Sequence, residues 1–256
     1  MAKTIKITGL TNFPIVKKGD NIARLVLATS KKERVTLDED DIIVVAHKVV
    51  SKAEGRTVDL KDIKPSNRAR KIAQITGKDP RLVEVILKET KRVVKVTSEI
   101  FIVENKQGHV CINAAVDKSN VEGADRYLLL PEDPDRSAQQ IRSEIMKLTG
   151  KKVAVLISDT YSRPFRRGQV EYTVGIAGIS PFKDYRGKKD LFNYELKVKN
   201  TAVADEITSA AELVMGQGDE GIPVAIIKNL KVPSQERASI SDLLISKNED
   251  LFTCAL

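Results

Sequence analysis

From Lys3 to Thr8 apolar and polar side chains alternate, which predicts a strand with one buried face. A loop carrying Phe13-Pro14-Ile15-Val16 follows, then Lys17-Lys18-Gly19-Asp20 and a predicted helix from Asn21 to Ala28. The unbroken run Asp41-Ile42-Ile43-Val44-Val45-Ala46 predicts a strand buried on both faces, delivering His47, Lys48 and then Ser51-Lys52-Ala53-Glu54-Gly55. Ser66 caps a predicted helix through Thr76, closed by Gly77, and Asp79-Pro80 opens another to about Glu89. A β-rich stretch spans Arg92 to Ala115 and turns at Asn105-Lys106-Gln107-Gly108. A helix from Ser137 to Thr149 puts Ile141, Ile145 and Leu148 on one face, with Gly150 ending it. The β-branched run Val153–Ser158 predicts a second buried strand, Val170–Ile179 another strand, and Ala202–Met215 a helix. A glycine-rich loop and a strand over Ile222–Ile227 close the pattern. Strands and helices alternate without the regular spacing of a doubly wound sheet. The prediction is an α+β fold of mixed sheets with flanking helices, spanning 1–256 as one unit or two intertwined lobes.

Composition narrows the class. The chain has 256 residues, 41% hydrophobic and 30% charged, enough to bury a sizeable core. No apolar run reaches the length of a membrane span, and the N-terminus lacks the apolar core of a signal peptide. The cysteines are Cys111 and Cys254, which predicts neither a disulfide framework nor a zinc site and makes a reducing cytoplasm the expected location. A formal net charge of +8 favours anionic partners. Trp is absent and aromatic residues make up 4%, so a stacking platform for single-stranded nucleic acid is poorly supported.

Four segments place a polar cluster at the end of an apolar element: His47–Lys52, Asp117–Asn120, Asp159–Gly168 and Met215–Ile222. The third is the richest. Asp159 and Thr160 offer hard oxygen ligands to a divalent cation, and Arg163, Arg166 and Arg167 offer forked donors to phosphate or carboxylate. Such a combination suits phosphoryl transfer; the plainer account is a charged surface turn. Asp117 and Asn120 read as a metal ligand and a base or sugar contact, or more simply as an Asx turn. Gly216, Gly218 and Gly221 let backbone amides approach phosphate, yet no P-loop pattern is present and Asp219 and Glu220 oppose an anion unless a cation intervenes. Lys52 can reach a terminal phosphate or lie solvated beside Glu54. His47 and His109 have no metal-ligand spacing, and no nucleophile elbow or dinucleotide fingerprint is present.

Taken together, Ser51–Arg56, Asn113–Asn120, Ser158–Gly168, Val203–Glu206 and Met215–Pro223 resemble the coenzyme F420-0:L-glutamate ligases, in order and in spacing over nearly the whole chain. The resemblance is to the stand-alone archaeal form. It implies an unusual ligase fold, neither ATP-grasp nor P-loop, and a GTP-dependent reaction adding L-glutamate to the deazaflavin precursor F420-0 through an acyl phosphate, then a further γ-linked glutamate. It implies two divalent ions (magnesium or manganese), assistance by potassium, and a homodimer. It places metal ligands on Asp117, Asp159, Thr160 and Gln217. It places nucleotide contacts on Phe13, Pro14, Ile15 and Val16, on His47, Lys48, Lys52 and Asn120, and on Met215, Gly216, Gln217, Gly218, Asp219, Glu220, Gly221 and Ile222. Gln217 stands where some relatives have Glu, and a neutral amide coordinates more weakly. His47-Lys48 stands where some have small hydroxyl residues. The three arginines are the candidates for holding a substrate anion during catalysis. The expected partners are GTP, L-glutamate and F420-0, with no membrane and no nucleic acid. The alternative from another class is a basic nucleotide- or RNA-binding protein without ligase activity.

Overall fold

The computed structural model describes residues 3–246 and 248–250; Cys254 lies outside them. The first elements are β1 (Lys6–Gly9), α1 (Ile22–Lys32), β2 (Ile42–Ala46), α2 (His47–Ala53) and β3 (Thr57–Asp59). Then come α3 (Asn67–Thr76), α4 (Pro80–Lys88), β4 (Thr90–Val96), β5 (Phe101–Asn105), β6 (Val110–Ile112) and β7 (Arg126–Leu128). The remainder are α5 (Pro134–Thr149), β8 (Ala154–Ser162), β9 (Gln169–Ile179), β10 (Lys183–Asp184), β11 (Asn200–Thr201), α6 (Val203–Met215), β12 (Val224–Lys228) and β13 (Ser234–Gln235). The chain divides into two compact units. Unit 1 holds 1–15, 21–47 and 134–256; unit 2 holds 16–20 and 48–133. Mixed sheets flanked by helices make this an α+β fold, as the sequence predicts.

Unit 1 is built on a six-stranded sheet in the order β1-β12-β2-β8-β9-β13. The β2–β8 pair is parallel and the other pairs are antiparallel. The central strands are apolar without alternation because both faces are covered. Ile42, Val44, Leu156 and Ile176 pack with Ala204, Ile207 and Ala211 of α6. Ile43, Val45, Val155 and Ile157, on the opposite face by the period of two, are equally buried, and α5 packs against β8 and β9. Gly175 permits that packing: a Cβ there would stand 2.5 Å from the Pro134 carbonyl oxygen.

Unit 2 carries the antiparallel sheet β4-β5-β6, the ribbon β3-β7, α3 and α4, and α2 from Lys48 onward. Its core gathers Ala69, Ala73, Val83, Ile86, Phe101 and Val103. The helix signals act as read. Ser66 accepts from the Ala69 amide at 3.2 Å, Asp79 accepts from Arg81 at 2.7 Å, and Gly77 closes α3 in the left-handed conformation at φ 66°.

Four local expectations change. The strand over Lys3–Thr8 is found at Lys6–Gly9, paired with β12. The helix expected to end at Ala28 continues to Lys32, where Lys31 and Lys32 suit the C-terminal dipole. His47–Ala53 is helical rather than a strand-end loop. In α5, Ile141 and Ile145 are buried but Leu148 is exposed. The buried face turns instead toward Arg142, whose Nε donates to the Val153 carbonyl at 2.8 Å while its fork holds Glu236.

Candidate functional site

Of the segment Asp159–Gly168 only Arg163–Gly168 forms the charged surface turn; Asp159–Ser162 belongs to the strand. β8 runs on through Ser162, because β9 keeps pairing with it beyond the buried core. Between the Ile157–Gly175 and Ser158–Thr173 pairs the register slips by one residue, a bulge of the kind that re-aims side chains next to active sites. Beyond it Asp159 faces Tyr172 and Thr160 faces Glu171. Parallel pairing of Ala46 with Ser158 sets the next residues, His47 and Asp159, side by side. His47 Nε2 accordingly lies 3.2 Å from Asp159 Oδ1, and the imidazole is buried. Asp159 Oδ1 also accepts from the Thr160 amide at 2.8 Å.

Thr160 is the centre of an oxygen-rich cluster. Its Oγ1 lies 2.6 Å from Glu171 Oε1 and 2.9 Å from Gln217 Oε1. The Gln217 Nε2 donates to Glu171 Oε1 at 2.8 Å and to Glu212 Oε1 at 2.9 Å. A hydroxyl has one proton, so Thr160 cannot donate to both oxygens at once. Burial pushes the Glu171 carboxyl above the ordinary carboxylate range, and the Asp159 charge adds to this against hydrogen bonds from Thr160 and Gln217. Among the described residues no group of three His, Cys, Asp or Glu could hold a metal. The donors here are two carboxylates, a hydroxyl and an amide oxygen. All are hard oxygen ligands of the kind a small divalent cation takes.

The loop after α6 is folded around one of its own acids. Gly216 adopts φ 69° and Gly221 φ 67°. The Gly218 amide donates to Glu220 Oε2 at 2.8 Å, and the Glu220 carboxyl covers Gly216 so closely that a Cβ there would collide with it. A carboxylate thus occupies an amide that the glycine pattern offers to phosphate. Met215 is buried as the last residue of α6; Asp219 and Glu220 are exposed.

In the hairpin between β8 and β9, Arg163 Nη2 donates to the Arg167 carbonyl at 3.0 Å, so this arginine closes its own turn. Arg166 and Arg167 are exposed, as is Phe165, which holds φ 59°. Ile15 is exposed, and Phe13 and Pro14 lie in the loop before it.

Unit 2 supplies a second constellation. Asp117 is held by reciprocal backbone bonds with Leu128, at 3.0 and 2.8 Å. Its carboxylate accepts from the Ser119 amide at 2.8 Å and Ser119 Oγ at 2.7 Å, and Lys48 Nζ lies 2.7 Å away. Lys48 also bonds Ser119 Oγ. Burial alone would raise the Asp117 carboxyl, but Lys48 and Ser119 outweigh it and hold the group at about 2. The Asx turn expected as the plainer account of Asp117 is therefore present, and Lys48 is added to it. Asn120 takes φ 55°. Lys48 and Lys52 stand one helical turn apart on α2, and burial followed by the Lys48 charge pushes Lys52 down. The approach to Asp117 is strained. Asn113, Ala114 and Ala115 take φ 54°, 55° and 59°, a left-handed turn closed by the Val116 amide on the Asn113 carbonyl at 3.0 Å. Val16 is buried in this unit.

Asp159, Thr160, Gln217 and His47 therefore come together in unit 1, while Lys48, Lys52, Asp117 and Asn120 belong to unit 2. Sequence reasoning missed Glu171 and Glu212. The available signal for Glu171 was an acid inside the otherwise apolar strand Val170–Ile179; which cross-strand neighbour it meets depends on the bulge.

Residues 11–229 match the protein family described as F420-0:Gamma-glutamyl ligase. A Methanocaldococcus jannaschii protein named coenzyme F420:L-glutamate ligase is 44% identical over 98% of this chain and 97% of its own length. Proteins of the same name from Methanothermobacter thermautotrophicus and Archaeoglobus fulgidus are 46% and 40% identical, over 88% and 96% of both chains.

Proposed function

The chain belongs to the F420-0:gamma-glutamyl ligase family, and from that premise we propose that it uses GTP to join L-glutamate to the deazaflavin precursor F420-0. The terminal carboxylate of the precursor attacks the γ-phosphorus, forming an acyl phosphate and releasing GDP. The glutamate amine then attacks the acyl carbon, phosphate leaves, a proton is lost from the nitrogen and an amide remains. A further glutamate is added through a γ-linkage by the same steps. The working form is a homodimer in the cytoplasm, assisted by potassium.

The observation that carries this reading is the oxygen cluster of Thr160, Glu171 and Gln217, with the Asp159 carboxylate on the Thr160 amide beside it. Asp159, Thr160 and Gln217 would hold a divalent cation there, and Asp117 would hold one in unit 2. A bound divalent cation neutralises phosphate oxygens during transfer. This chain's own groups do the rest. Lys52, already short of positive-charge stabilisation beside Lys48, gains an anionic partner when it meets a terminal phosphate. The Lys48–Asp117 pair keeps that carboxylate ionised. Amides of Gly216–Gly221 cradle phosphate once Glu220 swings out. Arg166 and Arg167, exposed in their hairpin, take an anionic group of the acceptor or of glutamate. The test is incubation with GTP, magnesium or manganese, L-glutamate and F420-0, followed by mass spectrometry. A glutamylated product with stoichiometric GDP is expected; GTP consumed without a mass increase, or no reaction, refutes the proposal.

A further inference from the structure

We infer that Glu171 is a positioning residue, whose buried carboxylate sets which atom of Gln217 and which lone pairs of Thr160 face a divalent cation. The inference rests on the cation reading above. Glu171 is 6% exposed, and its own carbonyl accepts from Ser209 Oγ at 2.7 Å, tying this point of β9 to α6. The side chain therefore has little room to move. Gln217, by contrast, sits in an exposed loop, and a glutamine amide is by itself free to turn either end inward. Here its Nε2 faces two carboxylate oxygens, of Glu171 and Glu212. Turning the amide over would set its carbonyl against both acids, so the carbonyl is directed to Thr160 Oγ1. Glu171 settles Thr160 in the same way. The Thr160 hydroxyl bond to Glu171 Oε1, at 2.6 Å the shorter of its two, takes the single proton and leaves Thr160 Oγ1 and Gln217 Oε1 as facing acceptors 2.9 Å apart. Two oxygens so close without a proton between them are relieved by a shared positive charge. A neutral Gln217 can thus serve at a cation site because a neighbouring buried acid dictates its sense.

The experiment measures Mn2+ binding by the electron paramagnetic resonance signal of free Mn2+, in the wild type, Glu171→Gln and Glu171→Asp, with thermal melting of each. Glu171→Gln preserves volume but can present a donor or an acceptor, and Glu171→Asp preserves charge but draws back from both partners. Both are expected to weaken Mn2+ binding about tenfold to a hundredfold with the melting transition kept. In turnover assays the apparent KM for Mn2+ rises while kcat at saturating Mn2+ recovers. Mn2+ affinity within about twofold of wild type in Glu171→Gln, or loss of affinity only in variants that also lose native melting, overturns the inference. A wild type that does not bind Mn2+ overturns the cation reading and this inference with it.

Discussion

Replacing Ala115 by glycine should stabilise the protein. Ala115 lies at φ 59° as the last of three consecutive left-handed residues ahead of Asp117. For an L-residue with a Cβ this conformation costs about 1–2 kcal/mol, and glycine escapes that cost. Two effects oppose the gain. The unfolded chain becomes more flexible by about 0.4–1 kcal/mol, and Ala115, only partly buried, gives up some of the roughly 0.8 kcal/mol that a fully buried methyl is worth. The net gain is about 0.5 kcal/mol, which for a unit of this size raises Tm by about 2–4 °C. Ala28 is the internal control. It is exposed in the middle of α1, so Ala28→Gly should cost about 1 kcal/mol and lower Tm. Differential scanning calorimetry on the two variants reads opposite signs. If Ala115→Gly lowers Tm as Ala28→Gly does, the left-handed turn is not strained and the reasoning fails. If the strain serves to present Asp117 rigidly, Ala115→Gly also loses turnover while gaining stability.

Asp159→Ala should abolish product formation while leaving the melting transition in place, since the carboxylate lies at the edge of the core; near-normal turnover at saturating metal counts against its role. Glu220→Gln should tighten GTP binding about fivefold in calorimetry, because the charge seated on the Gly218 amide is removed; unchanged affinity means the carboxylate does not compete with phosphate. Burial pushes the Asp205 carboxyl up, so its charged form costs stability once pH rises past the ordinary carboxylate range. Asp205→Asn, which keeps the acceptor for the Thr173 amide, should therefore raise Tm at about pH 8, and the gain should vanish toward about pH 3; a gain that persists in acid contradicts the burial argument. Arg166→Lys keeps the charge and loses the fork, so KM for F420-0 or glutamate should rise or kcat fall with metal dependence unchanged; unaltered kinetics would make Arg166 a solvated surface group.

Local signals in the chain were enough to determine the elements. Ser66, Gly77, Asp79 and Pro80 bound α3 and α4 through backbone chemistry that acts within four residues, and such signals survive in any tertiary setting. The unbroken runs at Ile42–Ala46 and Ala154–Ile157 announced a sheet covered on both sides. The ordered motifs were also enough to identify the family. What the sequence could not determine was where polar side chains meet. Leu148 satisfies the helical period of α5 and is nonetheless exposed, because a buried arginine claims the neighbouring face. Asp159 and Thr160 looked like a turn, since strand pairing beyond a buried core leaves no hydrophobic trace. Glu171 is eleven residues from Thr160 and Gln217 is 57. Their contact depends on one bulge in β9 and on the docking of α6, and a one-residue change of register would send Glu171 to the other face. Periodicity reports which face of an element is buried; which partners share that face is decided only when register and packing close together.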